Sequence, residues 1–217
     1  MKHLIINGIL TYFFLGCASL HQDYTNFKAH MPRSILVLPP TNNTNEVDAS
    51  GAYLSIVSRP VAEKGFYVYP VVLVDQFMKD NGISSPAEMH QLPLSKLFKV
   101  FAADAILYIE IDEWGNSFEI IDSKTVIKAR VRLVDAKTGK ILWAQAQHAV
   151  KRSNSQGGLL GAIVSAAVTQ VINESTDAAR QFARSATFRL INHEKVGFLD
   201  GPLKELKSDQ SGSKKSS

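Results

Sequence analysis

The sequence predicts one domain of the α/β (α+β) class, with two or three layers on a mixed sheet of about five strands. Three patterns carry that reading. A strand–helix–strand unit lies between Ser34 and Val72. Two runs of alternating apolar and polar residues, Val126–Val134 and Ile141–Val150, flank a turn. A stretch from Leu159 to about Ala186 repeats apolar residues every three or four positions. The first pattern implies a βαβ start, the second an antiparallel meander, and the third a long C-terminal amphipathic helix.

The chain opens on a basic Met1-Lys2-His3. An apolar run follows, Leu4–Leu15, broken only by Asn7, Gly8 and Thr11, and then the small residue Gly16. This is the pattern of a secretory signal peptide, here residues 1–16. The run is shorter than the roughly 20 apolar residues that span a bilayer. Cys17 follows and is the only cysteine, so it has no internal disulfide partner. A cysteine directly after the small residue resembles the lipobox of a bacterial lipoprotein, with Phe14 where Leu or Val is usual. The expectation is a thiol lipidated at Cys17, with palmitate-type chains as the membrane anchor. By the same resemblance, Ala18 in place of an aspartate favours the outer membrane. Residues 17–31 are polar and read as a lipidated N-terminus and tether, spanning roughly 20 Å as a flexible coil.

The domain is expected over residues 32–202. Ser34–Leu38 is a short apolar run between Pro32 and Pro39-Pro40, which suits a buried strand. Thr41–Asp48 is a loop of turn formers. Asp48 can cap a helix with Ala52, Ile56 and Val57 on its apolar face, which Pro60 should kink or restart and Gly65 should end. Phe66–Val72 is aromatic and β-branched and reads as a second strand, with Pro70 marking its end or a sheet edge. Val74–Asn81 reads as a short helix stopped by Gly82. Ser85-Pro86-Ala87-Glu88 is a helix start, and Leu94–Ala102 places Leu94, Leu97, Phe98 and Phe101 on one helical face.

Ala105–Asp112 reads as a third strand, with Leu107, Ile109 and Ile111 on one side and Ile106, Tyr108 and Glu110 on the other. In Val126–Val134, Ile127, Ala129, Val131 and Leu133 face a core while Lys128, Arg130 and Arg132 face outward. Asp135–Lys140 is the turn back to Ile141–Val150, with Trp143 packed. That basic row either binds a partner or is a solvated face paired with carboxylates such as Glu110 or Glu119. In the long helix, Gly157–Ile172 is nearly all apolar or small. It is either buried across the sheet or used for self-association or membrane contact. With helices mainly on one face, the long helix covers the sheet. Residues 203–217 are rich in Lys and Ser without apolar periodicity, and read as a disordered tail.

The net charge of +4 is modest, and no basic stripe interleaves with aromatics, so no nucleic-acid partner is expected. The six histidines have no metal-ligand spacing, and there is no HExxH, no GxSxG elbow and no Walker loop. No catalytic, cofactor or metal residues are assigned, and the chain is read as non-enzymatic.

The block from Ser34 to Gly82, the run ADAILYIEIDEW, the hairpin DAKTGKILW and the closing GFLDGP together resemble a family of Gram-negative lipoproteins typified by a genome-derived neisserial surface antigen. The resemblance covers nearly the whole chain after Cys17. It implies an outer-membrane lipoprotein with a fold similar to the N-terminal domain of the Tol–Pal translocation protein and to penicillin-binding-protein activator lipoproteins; the periplasmic face is expected ahead of the cell surface. It implies a role in envelope assembly with envelope protein partners and no known catalytic residues. The function expected is a binding or scaffold module. Alternatives are a subunit of an oligomeric secretion or pore complex beside a curli-secretion-like lipoprotein, and a regulator of peptidoglycan synthesis.

Overall fold

The structure, a computed structural model, describes residues 22–118, 123–152 and 168–204. The leader, Cys17, residues 157–167 of the apolar helical stretch and the tail beyond Lys204 therefore lie outside the described residues. The strands are β1 (Ser34–Val37), β2 (Thr41–Asn42), β3 (Tyr67–Val68), β4 (Ala105–Phe118), β5 (Ser123–Asp135) and β6 (Ile141–Arg152). The helices are α1 (Thr25–Ala29), α2 (Ala49–Glu63), α3 (Val71–Asp80), α4 (Pro86–His90), α5 (Leu94–Phe101) and α6 (Val168–Ile191).

One open mixed sheet runs in the order β3-β1-β4-β5-β6, with β2 also paired to β4. The β1–β3, β1–β4 and β2–β4 pairs are parallel, whereas β4–β5 and β5–β6 are antiparallel. The sixth strand, absent from the expected five, is β2. It continues the line of β1 along the same edge of β4 after Pro39-Pro40, which have no N–H to give the ladder. Leu38 N donates to Leu107 O before the prolines, and Asn43 N donates to Ile111 O after them. The proline carbonyls are taken by side chains: Ser50 Oγ donates to Pro40 O and the His90 ring N–H to Pro39 O.

The expected strand Phe66–Val72 is cut to two residues. Pro70 takes the N-cap position of α3, so Val71 and Val72 begin a helix and leave the sheet. Pro60 does not restart α2, which runs through it as one helix. It stands one turn from the C-terminus, where only the Ile56 carbonyl loses its helical partner. Asp48 precedes α2 but makes no side-chain capping bond, whereas Ser85 does cap α4 by accepting from Glu88 N. Gly65 ends α2 at φ +93, with Lys204 and Gly201 so close that any Cβ would collide with their backbone.

Helices cover both faces of the sheet, not mainly one. On one side α2 and α6 pack on Val37, Leu107, Ile109, Ile111, Ala129, Val131 and Leu133. On the other, α3, α4 and α5 bring Val74, Phe77, Met89 and Leu97 onto Leu36, Ile106, Tyr108 and Val134. The body is three-layered over β1 and β4, and two-layered over the outer stretch of β5 and β6.

Residues 22–31, which composition assigns to the tether, belong to the body. Phe27 of α1 is fully buried, in ring contact with Phe66 and Phe198. Tyr24 Oη donates to Gly197 O, and Gln145 Nε2 donates to Gln22 Oε1. Trp143 is buried as expected, donating Nε1–H to Val196 O and meeting Phe198 edge-on at 4.5 Å. Replacing Phe27 with Ala should cost about 3–5 kcal/mol, as for other buried aromatic truncations. The measurement is a lower urea midpoint at unchanged slope.

Candidate functional site

The basic row of β5 is the first candidate. Lys128, Arg130 and Arg132 do face outward, but β4 answers each with a carboxylate. Arg130 donates to both oxygens of Asp112 (2.9 and 3.0 Å) and lies 2.9 Å from Glu110. Arg132 pairs with Glu110 at 3.2 Å, and Lys128 with Glu113 at 3.5 Å. A register shift between Ile111 and Glu113 leaves Asp112 without a strand partner, so two consecutive carboxylates meet the row. The Arg130 hydrogen bonds hold Asp112 below the usual carboxylate range. Arg132 also lies over the Tyr108 ring, which meets His90 edge-on. Burial pushes His90 below its ordinary value. The row is thus the solvated, paired face; the sequence anticipated Glu110 as a partner, while Glu119 lies outside the described residues.

The second candidate is a groove between α2 and α6, of about 420 Å³. Its floor is apolar: Ile56 and Pro60 from α2 and Phe188 from α6, the last 49% exposed. Its rim is charged. Arg59 is tied to Glu63 at 2.7 Å. Among the described residues, Arg184 and Arg189 form no ion pair or side-chain hydrogen bond. Arg184 and Ser185 also line an adjoining recess with Arg180 and Gln181, so the α6 side of the groove and recess together, termed the trough, runs from Arg180 to Arg189. At 1.5 Å per residue that trough is about 14 Å long. No motif marks it in the sequence. Its halves are over 100 residues apart, and only the arginines recurring on the polar side of the helical pattern hint at it.

A third feature lies beneath the groove. Gln147 of β6 is buried and bridges the two helices. Tyr53 Oη donates to Gln147 Oε1 at 2.6 Å, and Gln147 Nε2 donates to Thr187 Oγ1 at 3.4 Å. Burial pushes the Tyr53 phenol up to about 12. This chain fixes the height of α6 against α2, and so the width of the groove. Among the described residues no group of His, Cys, Asp and Glu could hold a metal ion. Nor is any helix there long and apolar enough to cross a membrane.

Residues 22–203, the span of the described body, match the model of the GNA1162-like lipoprotein family. The chain belongs to that family. It is 38% identical over 208 residues to the lipoprotein NMB1124/NMB1162 of Neisseria meningitidis serogroup B, covering 93% of this chain and 96% of that one. The crystal structure of lipoprotein GNA1162 from Neisseria meningitidis overlays at TM-score 0.54 and 41% identity, over 65% of this chain and 99% of that one. The family is the one the sequence resembles.

The buried phenol makes the groove's foundation sensitive to alkali. With its folded pKa raised from 10 to about 12, Tyr53 contributes fully below pH 10. That contribution, roughly 2–3 kcal/mol, is lost as pH rises from 10 to 12. Tyr53→Phe should flatten that branch of the stability–pH curve. At neutral pH it should cost about 1–3 kcal/mol, because Gln147 loses its donor.

Proposed function

We propose that this chain is a lipid-anchored cell-envelope protein, held to the outer membrane on its periplasmic side through Cys17. In this reading it works as a non-enzymatic binding and scaffold module. Family membership supports the anchor, as does a lone cysteine placed behind a basic, apolar and small-residue leader. The observation that carries the docking role is the α2–α6 groove, with its apolar floor and two uncommitted arginines. Arginine stays charged at every physiological pH, and Glu63 is already bound to Arg59, so the rim offers attraction and no proton transfer.

Residues 18–21 alone separate Cys17 from Gln22, where the body starts. Even fully extended, that distance is at most roughly 18 Å. The body therefore works close to its bilayer, and its partner has to come to the membrane.

Intact mass and membrane fractionation of wild type against Cys17→Ala test the anchor. Wild type should carry acyl mass and sediment with outer membrane, and the variant should do neither. Unmodified Cys17 in a soluble protein would remove the anchor. A photo-crosslinking residue in place of Ser185 should trap a protein in cells; a crosslink-free groove would remove the docking role.

A further inference from the structure

The occupant of the groove can be narrowed by charge and shape. The rim carries Arg59, Arg184 and Arg189 against the single carboxylate Glu63, so the occupant is acidic. The floor is apolar and concave, with Phe188 half open, so the occupant also brings apolar side chains that enter the trough. A flat lipid surface fills such a concavity poorly. At about 3.3 Å per residue, a trough of about 14 Å takes four extended residues.

This chain contains one four-residue segment of that chemistry: Glu119-Ile120-Ile121-Asp122, two carboxylates flanking two isoleucines. It joins β4 to β5. The other stretches outside the described body do not fit. Residues 153–167 contain no acidic residue, and residues 205–217 have three lysines against two carboxylates. The segment cannot reach the groove of its own copy. β4 runs about 43 Å from Ala105 to Phe118 at about 3.3 Å per residue. Phe118 and Ser123, which bracket the segment, stand at the far end of β4 from Ala105. The Arg59–Glu63 end of α2 leads into β3, whose Tyr67 pairs with Ser34, at the Ala105 end of the sheet.

We infer that the groove receives residues 119–122 of a second copy of this chain, a head-to-tail contact between Arg184 and Arg189 of one copy and Glu119 and Asp122 of the next. In an extended segment successive side chains alternate, so Ile121 covers Phe188, Ile56 and Pro60 while Ile120 faces away from the floor. The two surfaces differ, so the contact is heterologous and propagates into a closed ring or an open row. This rests on the reading of the groove as a protein-docking surface and is independent of the lipid anchor.

A charge-swap series on the full chain in detergent tests it, read by sedimentation velocity over a concentration range. Wild type should associate beyond a dimer. The pair R184E/R189E should weaken association by roughly tenfold or more, and so should the pair E119K/D122K. Arg184 and Arg189 are exposed on α6, and unchanged thermal midpoints would verify folding of both variants. An equimolar mixture of the two variants should associate again, because every contact in an alternating row is then between opposite charges. A monomeric wild type overturns the inference. So does association that survives either charge reversal, or a mixture that stays apart. If the chain stays monomeric while the Ser185 crosslinker traps another protein, the inference falls and the docking role stands. If Arg184 and Arg189 instead drive binding to phosphatidylglycerol vesicles, both fall.

Discussion

The fold hangs on one strand that is buried on both of its faces. In β4, alternate side chains enter different cores: Leu107, Ile109 and Ile111 meet α2 and α6, while Ile106 and Tyr108 meet α3, α4 and α5. Slipping the register by one residue would exchange the two sets, so the alternation of shape locks the pairing. β4 is also where parallel and antiparallel pairing meet, with β1 and β2 on one edge and β5 on the other. The groove inherits its position from this strand, because both of its helices are seated on the β4 side chains.

The charged network on the outer face follows from the same geometry. Beyond Tyr108 the second helix layer ends, and the outward residues of β5 meet water. Three cations on one strand would repel one another. The bulge at Asp112 supplies two successive carboxylates where a regular strand would supply one. Exposed ion pairs of this kind contribute little individually, so this surface is best understood as keeping an uncovered sheet face soluble. On the helical side, Arg184 and Arg189 have no such partner among the described residues.

What was legible in the sequence was whatever had a period. The two-sided burial of Ala105–Asp112, the outward row at Lys128, Arg130 and Arg132, and the apolar face of α2 all follow from spacing. What had no period was missed. β2 is two residues long and exists because of its place beside β4. Phe27 is one of two aromatics in a polar stretch, and it is Phe66 and Phe198, distant in sequence, that make it a core residue. Val71 and Val72 read as strand by composition, but Pro70 fixes a backbone that suits the start of a helix. The groove was invisible because its two walls come from opposite ends of the chain. Gln147 looked like an ordinary polar residue in a strand, and its burial becomes intelligible only with Tyr53 and Thr187 around it.

The clasp between α1 and the segment after α6 bears on the order in which the chain folds. Phe27 is buried against Phe198, Tyr24 donates to Gly197, and Gly65 is pressed against Gly201 and Lys204. None of these contacts can form until residues near 200 are available. A nascent chain holding only β1 to β6 has an exposed aromatic at position 27, an unclosed end to α2 and no cover for Trp143. Contacts of such long sequence separation form late and slowly. This end of the body therefore stays open until the chain is nearly complete, and any truncation before residue 198 leaves the Phe27 pocket unsealed.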